Sequence, residues 1–440
     1  MDVASLLSLS RWVAATDYCP RIDVVAILIF VGALGLIAFE WVHRTKVALA
    51  GAALMVLIGV LDQERAIDAI DWATLGLLAG MMVIVGLTEP TGVFTFLALR
   101  VAQLSKGQPV ALIFLLAFVT AILSAFLDNL TAILLVVPIT LLIADLLRIS
   151  PIPLVLVEVI ASNVGGTATL IGDPPNIMIG TARPELSFLD FIVNLAPVAL
   201  VTLVVVTCGL ALVFRSSLQI DPDRAHEIAT LDAARDVREA PYVGRTLAVL
   251  LGTIAAFFLH TLLHVEPAVV ALTGATIMLL VAADDVESAL ERVEWSTLFF
   301  FLGLFVMVGG LEERGVVAEV AEWLADVTGG SPTAEGLVVL WGAAAGSAVV
   351  DNIPFTAAMI PVVESLQGEE FEDGLWWALA LGACFGGNAT LIAAAANVAA
   401  TGILDRSGQP VTFLRFLVVG LPVTIVSLLI ATAYLLLFQF

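Results

Sequence analysis

Two aspartate-asparagine pairs interrupt apolar runs: Asp128-Asn129 within LSAFLDNLTAILLVVPIT (123–140) and Asp351-Asn352 within GSAVVDNIPFTAAMIPVV (346–363). A carboxylate beside an amide in such a setting is equipment for holding a cation or passing a proton, and Thr131 and Thr356 add a hydroxyl close behind each pair. Two more polar runs carry the same kind of chemistry. ASNVGGTATLIGDPPN (161–176) offers Asn163, Thr167, Thr169, Asp173 and Asn176, and GACFGGNATLIAAAAN (382–397) offers Asn388, Thr390 and Asn397. Amide, hydroxyl and carbonyl oxygens are the hard ligands a Na⁺ needs, with Asn129, Asn163, Asn352 and Asn388 as its candidate ligands.

The elements that must position these residues are membrane spans. Of the 440 residues 60% are hydrophobic and 13% charged, with a mean hydropathy of +1.07, which implies an all-α polytopic membrane protein. Apolar stretches at 22–42, 46–61, 72–88, 153–181, 189–214, 245–263, 267–283, 295–311, 375–403 and 412–438 predict ten spans. Two more, 109–147 and 335–366, hold the Asp-Asn pairs at their centres. Residues 1–21 read as a short interfacial segment: Asp2 stands where a signal peptide is basic, and Ser8, Ser10 and Arg11 break the apolar run.

The chain reads as one unit used twice. At an offset of 223, Gly51 falls on Gly274, Trp72 on Trp295, Ser124 on Ser347, Asp128 on Asp351 and Pro138 on Pro361. With a drift of two, Gly165-Gly166, Thr169 and Asn176 fall on Gly386-Gly387, Thr390 and Asn397. The expected organisation is a first repeat at 22–214, a polar linker at 215–244 and a second repeat at 245–440. With the amino terminus outside, 13 of the 18 basic residues fall on the cytoplasmic side and 5 outside, as the positive-inside rule requires. The count holds only if 109–147 and 335–366 are re-entrant helical hairpins. Each repeat then has five spans, the two lie inverted in the plasma membrane, and both termini are outside.

At the tip of a re-entrant hairpin two helix ends leave backbone groups that protein, water or an ion must meet. An aspartate near the bilayer centre costs roughly 2.5–3.5 kcal/mol, and its use at two matched positions points beyond helix capping, which Ser or Asn would do without a charge. Gly165-Gly166 and Pro174-Pro175 disfavour a continuous helix, so the span should break around 165–175 and expose carbonyls. The partner run has Ala394–Ala396 in place of Asp173-Pro174-Pro175, so the two sites should differ in charge, with Asp173 serving the first alone. A packing seam of small residues is the bland alternative, and the asparagines at both ends of each run weigh against it.

FLDNLTAILLVVPIT, SNVGGTATLIGDPPN, DNIPFTAAMIPV and GACFGGNATLIAAAAN resemble the ion transporter superfamily, in particular its branch of arsenite permeases, P-protein-like carriers and Na⁺/H⁺ antiporters of the NhaD type. The likeness runs from about residue 22 to the end. It implies two hairpins, two discontinuous helices, a scaffold that forms homodimers, and a transport domain that moves like an elevator. In the sodium-coupled dicarboxylate branch the tips resemble Ser-Asn-Thr. Here they are Asp128-Asn129-Leu130-Thr131 and Asp351-Asn352-Ile353-Pro354, which argues against dicarboxylate symport.

Desolvation favours a protonated carboxyl and a bound Na⁺ favours the carboxylate, so the two ions would compete for one group. Na⁺/H⁺ antiport is therefore the leading reading, with Na⁺ or H⁺ as coupling ion and no other cofactor. Arsenite or antimonite extrusion is the alternative, with Asn163, Thr167 and Asn388 as partners for a neutral trihydroxide. No basic residue is expected inside the spans to neutralise an anion, a channel fits paired broken helices less well than alternating access does, and no enzyme constellation appears. Cys19, Cys208 and Cys384 are isolated, and His260 and His264 lack a carboxylate partner pattern. The expected partners are a small ion, the bilayer and a second copy of the chain, and no nucleic acid.

Overall fold

The computed structural model describes residues 20–38, 42–106, 108–215, 237, 240, 242–282, 285–366 and 373–440. The amino-terminal segment up to residue 19, most of the linker and the acidic stretch 367–372 lie outside the described residues.

In the first half the helices are α1 (Pro20–Ala38), α2 (Arg44–Ile58), α3 (Gln63–Asp68), α4 (Trp72–Thr88), α5 (Val93–Leu104), α6 (Pro109–Leu127), α7 (Asn129–Leu147), α8 (Ile152–Gly166), α9 (Pro174–Ala182) and α10 (Phe188–Phe214). The second half repeats that order with α11 (Val243–Leu263), α12 (Pro267–Ala282), α13 (Val286–Leu290), α14 (Trp295–Glu313), α15 (Val316–Thr328), α16 (Pro332–Val350), α17 (Asn352–Leu366), α18 (Gly374–Gly386), α19 (Ala395–Arg406) and α20 (Phe413–Phe438).

Among the described residues eight helices are long and apolar enough to cross a membrane: α4, α6, α7, α10, α11, α14, α16 and α20. Three of these, α6, α7 and α16, come from the two stretches set apart as hairpins. Of the ten expected spans, α2 stops after 15 residues because Gly59 takes a left-handed C-cap (φ 81°), and α1 and α12 are also shorter apolar helices. The spans expected at 153–181 and 375–403 are each two helices separated by irregular backbone, at 167–173 and 387–394. No long apolar run marks α5 and α15, which lead into the two hairpins. Each buries one stripe, Phe94, Ala98 and Ala102 on α5 and Val317, Ala321 and Leu324 on α15, the i, i+4 spacing of an amphipathic helix.

The halves exchange neighbours. α2 packs on α14 and α4 on α12; α7 packs on α19 and α17 on α9. The second helix of each hairpin thus leans on the broken helix of the other half. Within each half the first hairpin helix lies along the first part of the broken helix, α6 on α8 and α16 on α18. Glycine permits that approach: a Cβ at Gly165 would meet the Ala121 backbone, and one at Gly386 would meet Ala344, residues that coincide at the offsets of 221 and 223.

Gly165→Ala should therefore push α6 off α8 and lower stability by about 1–3 kcal/mol. Gly209→Ala, on α10 with nothing within 4 Å of the added carbon, should leave it unchanged. Thermal unfolding of the two variants in detergent checks the pair.

Candidate functional site

Each hairpin turns without a loop. α6 ends at Leu127, α7 starts at Asn129, and Asp128 alone joins them with φ 92° and ψ 158°; Asp351 joins α16 to α17 with φ 122° and ψ 145°. This is backbone that glycine adopts freely and other residues hold at a cost of about 1–3 kcal/mol. The aspartate is kept there because its side chain starts the next helix. Asp128 Oδ1 accepts from the Thr131 N–H at 2.8 Å and Oδ2 from the Thr131 hydroxyl at 2.8 Å. Asp351 Oδ1 accepts from the Ile353 N–H at 3.1 Å. Asp351 Oδ2 also lies 3.5 Å from the Arg44 guanidinium, which rests over the Phe300 ring. Arg44, counted from sequence as a cation at a span end, thus reaches a hairpin tip.

The broken helices are braced by asparagine. Asn176 Nδ2 donates to the Thr167 and Thr169 carbonyls at 3.0 and 2.8 Å. Asn397 Nδ2 donates to the Gly387 and Thr390 carbonyls at 2.7 and 2.8 Å. Freed backbone carbonyls in an apolar interior need such partners. The Thr169 and Thr390 hydroxyls then tie the breaks to the hairpins through the Ala125 and Ala348 carbonyls. Ser124 and Ser347 repeat the tie, donating to the Ser162 and Ala383 carbonyls at 2.7 Å each. The two serines stood out in sequence as repeat landmarks and not as parts of a site.

Between these braces lies one chain of buried polar groups. Asn129 Nδ2 donates to Asn163 Oδ1 and Asp173 Oδ1, both at 3.2 Å. Asn352 Nδ2 donates to Asp173 Oδ1 and Oδ2 at 3.1 and 3.3 Å. Asn163 Nδ2 crosses to the second half of the chain, to Asn388 Oδ1 and Asn397 Oδ1, both at 3.0 Å. Asp173, Asn163, Asn388 and Asn397 are wholly buried, and Asn388 Nδ2 has no hydrogen-bond partner. The structure thus gathers Asn129, Asn163, Asp173, Asn352, Asn388 and Asn397. Thr167 and Thr356 bond to carbonyls in their own helices, and a Cβ at Gly166 would meet Gly172 and Ser124 across the break.

Two contacts go beyond the sequence reading. The tip aspartates, expected to face an ion, each cap the helix that follows, and Asp351 also reaches Arg44. Asp173, expected to serve the first half alone, accepts from the tip asparagines of both halves. No sequence offset shows that, because the contact to Asn352 depends on how the halves pack.

A cavity of about 410 Å³ opens beside the second tip. Its lining includes His43, Arg44, Leu130, Asp351 and the first turn of α19 at Ala395, so both hairpins and the start of α2 border one space.

The citrate transporter family model matches residues 34–382. An uncharacterised transporter of Mycobacterium tuberculosis is 42% identical over 421 residues, covering 94% of this chain and 98% of its own. The 46 kDa membrane protein of Mycobacterium leprae is 39% identical with the same coverage. The human P protein is 33% identical over 94% of this chain, which spans 59% of that longer protein. In structure the chain is similar to the YdaH transporter of Alcanivorax borkumensis, with a TM-score of 0.57 and 18% identity over 92% of this chain and 98% of that one, a likeness of fold.

Removing a brace should be costly in either half. Asn176→Ala and Asn397→Ala each strip two buried carbonyls of their donor and should each lower stability by about 2–4 kcal/mol. Thr131→Val, which removes one hydroxyl and leaves the backbone cap on Asp128, should cost about 1 kcal/mol. Unfolding of the three variants in detergent tests this order.

Proposed function

The chain belongs to the citrate transporter family, whose members are membrane transporters and not enzymes, and we propose that it is a secondary active carrier that exchanges Na⁺ for H⁺ at a site built on Asp173. One observation carries this reading: a wholly buried carboxylate receives amide donors from both hairpin tips and has no ion-pair partner among the described residues. Amides stabilise such a charge without neutralising it. In the membrane interior a small cation or a proton must do so, and the two then compete. The oxygens of Asn129, Asn163, Asn352 and Asn388, with the carbonyls of the breaks, are the ligands we assign to Na⁺.

The repeats lie inverted in the plasma membrane on this reading, with α6–α7 and α16–α17 re-entrant from opposite faces, the linker in the cytoplasm and both termini outside. The helix pairs α2–α14 and α4–α12 form the scaffold, through which the carrier dimerises. The hairpins and broken helices move against it as one body. The cavity beside Asp351 then belongs to a state open to the cytoplasm, since it is bordered by the start of α2 and by α19.

A second reading has its own support. Arg44 brings to the cavity the cation that the sequence reading did not place there, and with the first turn of α19 it would suit a carboxylate substrate. Cotransport of such an anion with Na⁺ would keep the same Asp173 ion site.

Proteoliposomes with an internal pH dye separate the readings. For antiport, Na⁺ alone should move protons, its half-saturating concentration should rise as pH falls, and Asp173→Asn should reduce the flux at least about tenfold, a loss of about 1.4 kcal/mol or more. Asp128→Asn keeps an acceptor for the cap and should retain most of the flux. A carrier that ignores Na⁺ alone between about pH 6 and 9, yet responds to citrate with Na⁺ or to arsenite, would overturn antiport. Topology is checked by single cysteines: Ser150→Cys and Gln409→Cys should label from the cytoplasm, Glu185→Cys and Ser331→Cys from outside. Labelling of all four from one face would remove the inversion.

A further inference from the structure

A second buried acid stands apart from the site. Glu158 lies on α8, five residues before Asn163, roughly 7.5 Å along the helix at 1.5 Å per residue. It is wholly buried. Its Oε1 accepts from the Thr140 hydroxyl on α7, and its Oε2 has no hydrogen-bond partner. In sequence it sits between Val155 and Val159, which pack with Val137 of α7 and Ala400 of α19 in an apolar cluster.

No charge compensates it. The titratable groups on the elements packed against α8, their caps included, are Asp128, Asp145 and Arg148 on α7, Asp190, Cys208 and Arg215 on α10, Asp373 and Cys384 on α18, and Asp405 and Arg406 on α19; α6 itself carries none. None of them forms an ion pair or hydrogen bond with Glu158 among the described residues. The second repeat has no such pair either: the offsets that align the halves put Leu379 at Glu158 and Val363 at Thr140. The acid is therefore no requirement of the shared architecture, and an apolar side chain fills its place in the other half.

In this packing a carboxylate with one orphaned oxygen is costly as a charge and favoured as a neutral acid. Thr140 adds a hydroxyl that can donate to one oxygen or accept from a protonated one. We propose that Glu158 and Thr140 form a proton-binding site separate from the Asp173 cluster. The O–H bond made at a Glu158 oxygen is the one broken when the proton leaves, a step that needs water to reach Glu158 in another state of the carrier, since the acid is wholly buried in this one; no other group is changed. Its consequence for transport rests on the antiport reading: Glu158 carries a second proton beside the one that competes with Na⁺ at Asp173, so that exchange moves net charge.

Infrared spectroscopy of the full-length protein in lipid, titrated between about pH 5 and 9, tests the site without transport. Wild type should show a protonated carboxyl band that Glu158→Gln removes. Thr140→Val should keep that band and shift its frequency, because the hydrogen bond to the acid is gone. A carboxyl spectrum unchanged in both variants would overturn the proposal, and Thr140→Val decides the matter if Glu158→Gln fails to fold. In proteoliposomes, Na⁺-driven proton movement should depend on membrane potential in wild type and lose that dependence in Glu158→Gln; potential dependence equal in the two would sink the second-proton role. Absence of any Na⁺-driven proton movement in wild type would refute antiport, and the infrared band would still decide whether Glu158 binds a proton.

Discussion

A helix broken inside a membrane leaves carbonyl and amide groups that only the protein can satisfy, and the rest of this structure follows from how two such breaks are met. Asn176 and Asn397 each reach back across their own break to two carbonyls. With the breaks fixed, Asp173 and Asn388 are held where hairpin tips and broken helices converge. The same need acts at the tips. Asp128 and Asp351 hold strained backbone because their carboxylates cap the helices that start one residue later. Gly165 and Gly386 let the hairpins lie close enough for the threonine and serine ties to form.

The charges differ between the halves. Asp173 has Ala394 as its counterpart, Glu158 has Leu379, and Arg44 corresponds at the offset of 223 to Pro267. A single acid, Asp173, accepts from the asparagines of both tips, and the tip acids Asp128 and Asp351 stand one residue before those asparagines. The second half contributes the amides of Asn352, Asn388 and Asn397 to that cluster. Amides can serve a charged and a neutral state of such an acid alike.

Much of this was legible in residue order. The Asp-Asn pairs mark the hairpin tips because each is polar at the centre of an apolar run, and Gly165-Gly166 with Pro174-Pro175 mark a break because neither pair supports a continuous helix. What was not legible depends on packing or on scale. α5 and α15 are shorter than a span, and their amphipathic stripes vanish in a search for long apolar runs. One acid barely changes the hydropathy of its span, so Glu158 passed unnoticed between Val157 and Val159. Arg44 looks like a loop cation until α2 and the second hairpin are set side by side. The partners of Asp173 could not be assigned, because Asn352 lies 179 residues away and meets it only through the packing of α17 on α9.

Equilibrium Na⁺ binding to the purified protein tests most directly whether Asp173 provides the charge of the ion site. Calorimetric titration of wild type, Asp128→Asn and Asp173→Asn with Na⁺ at one alkaline pH needs no assumption about substrate, direction or stoichiometry. The shared Asp173 site predicts binding by wild type and Asp128→Asn, and none by Asp173→Asn. Wild-type Na⁺ affinity in Asp173→Asn, with binding lost in Asp128→Asn, would contradict it and return the ion to the hairpin tip.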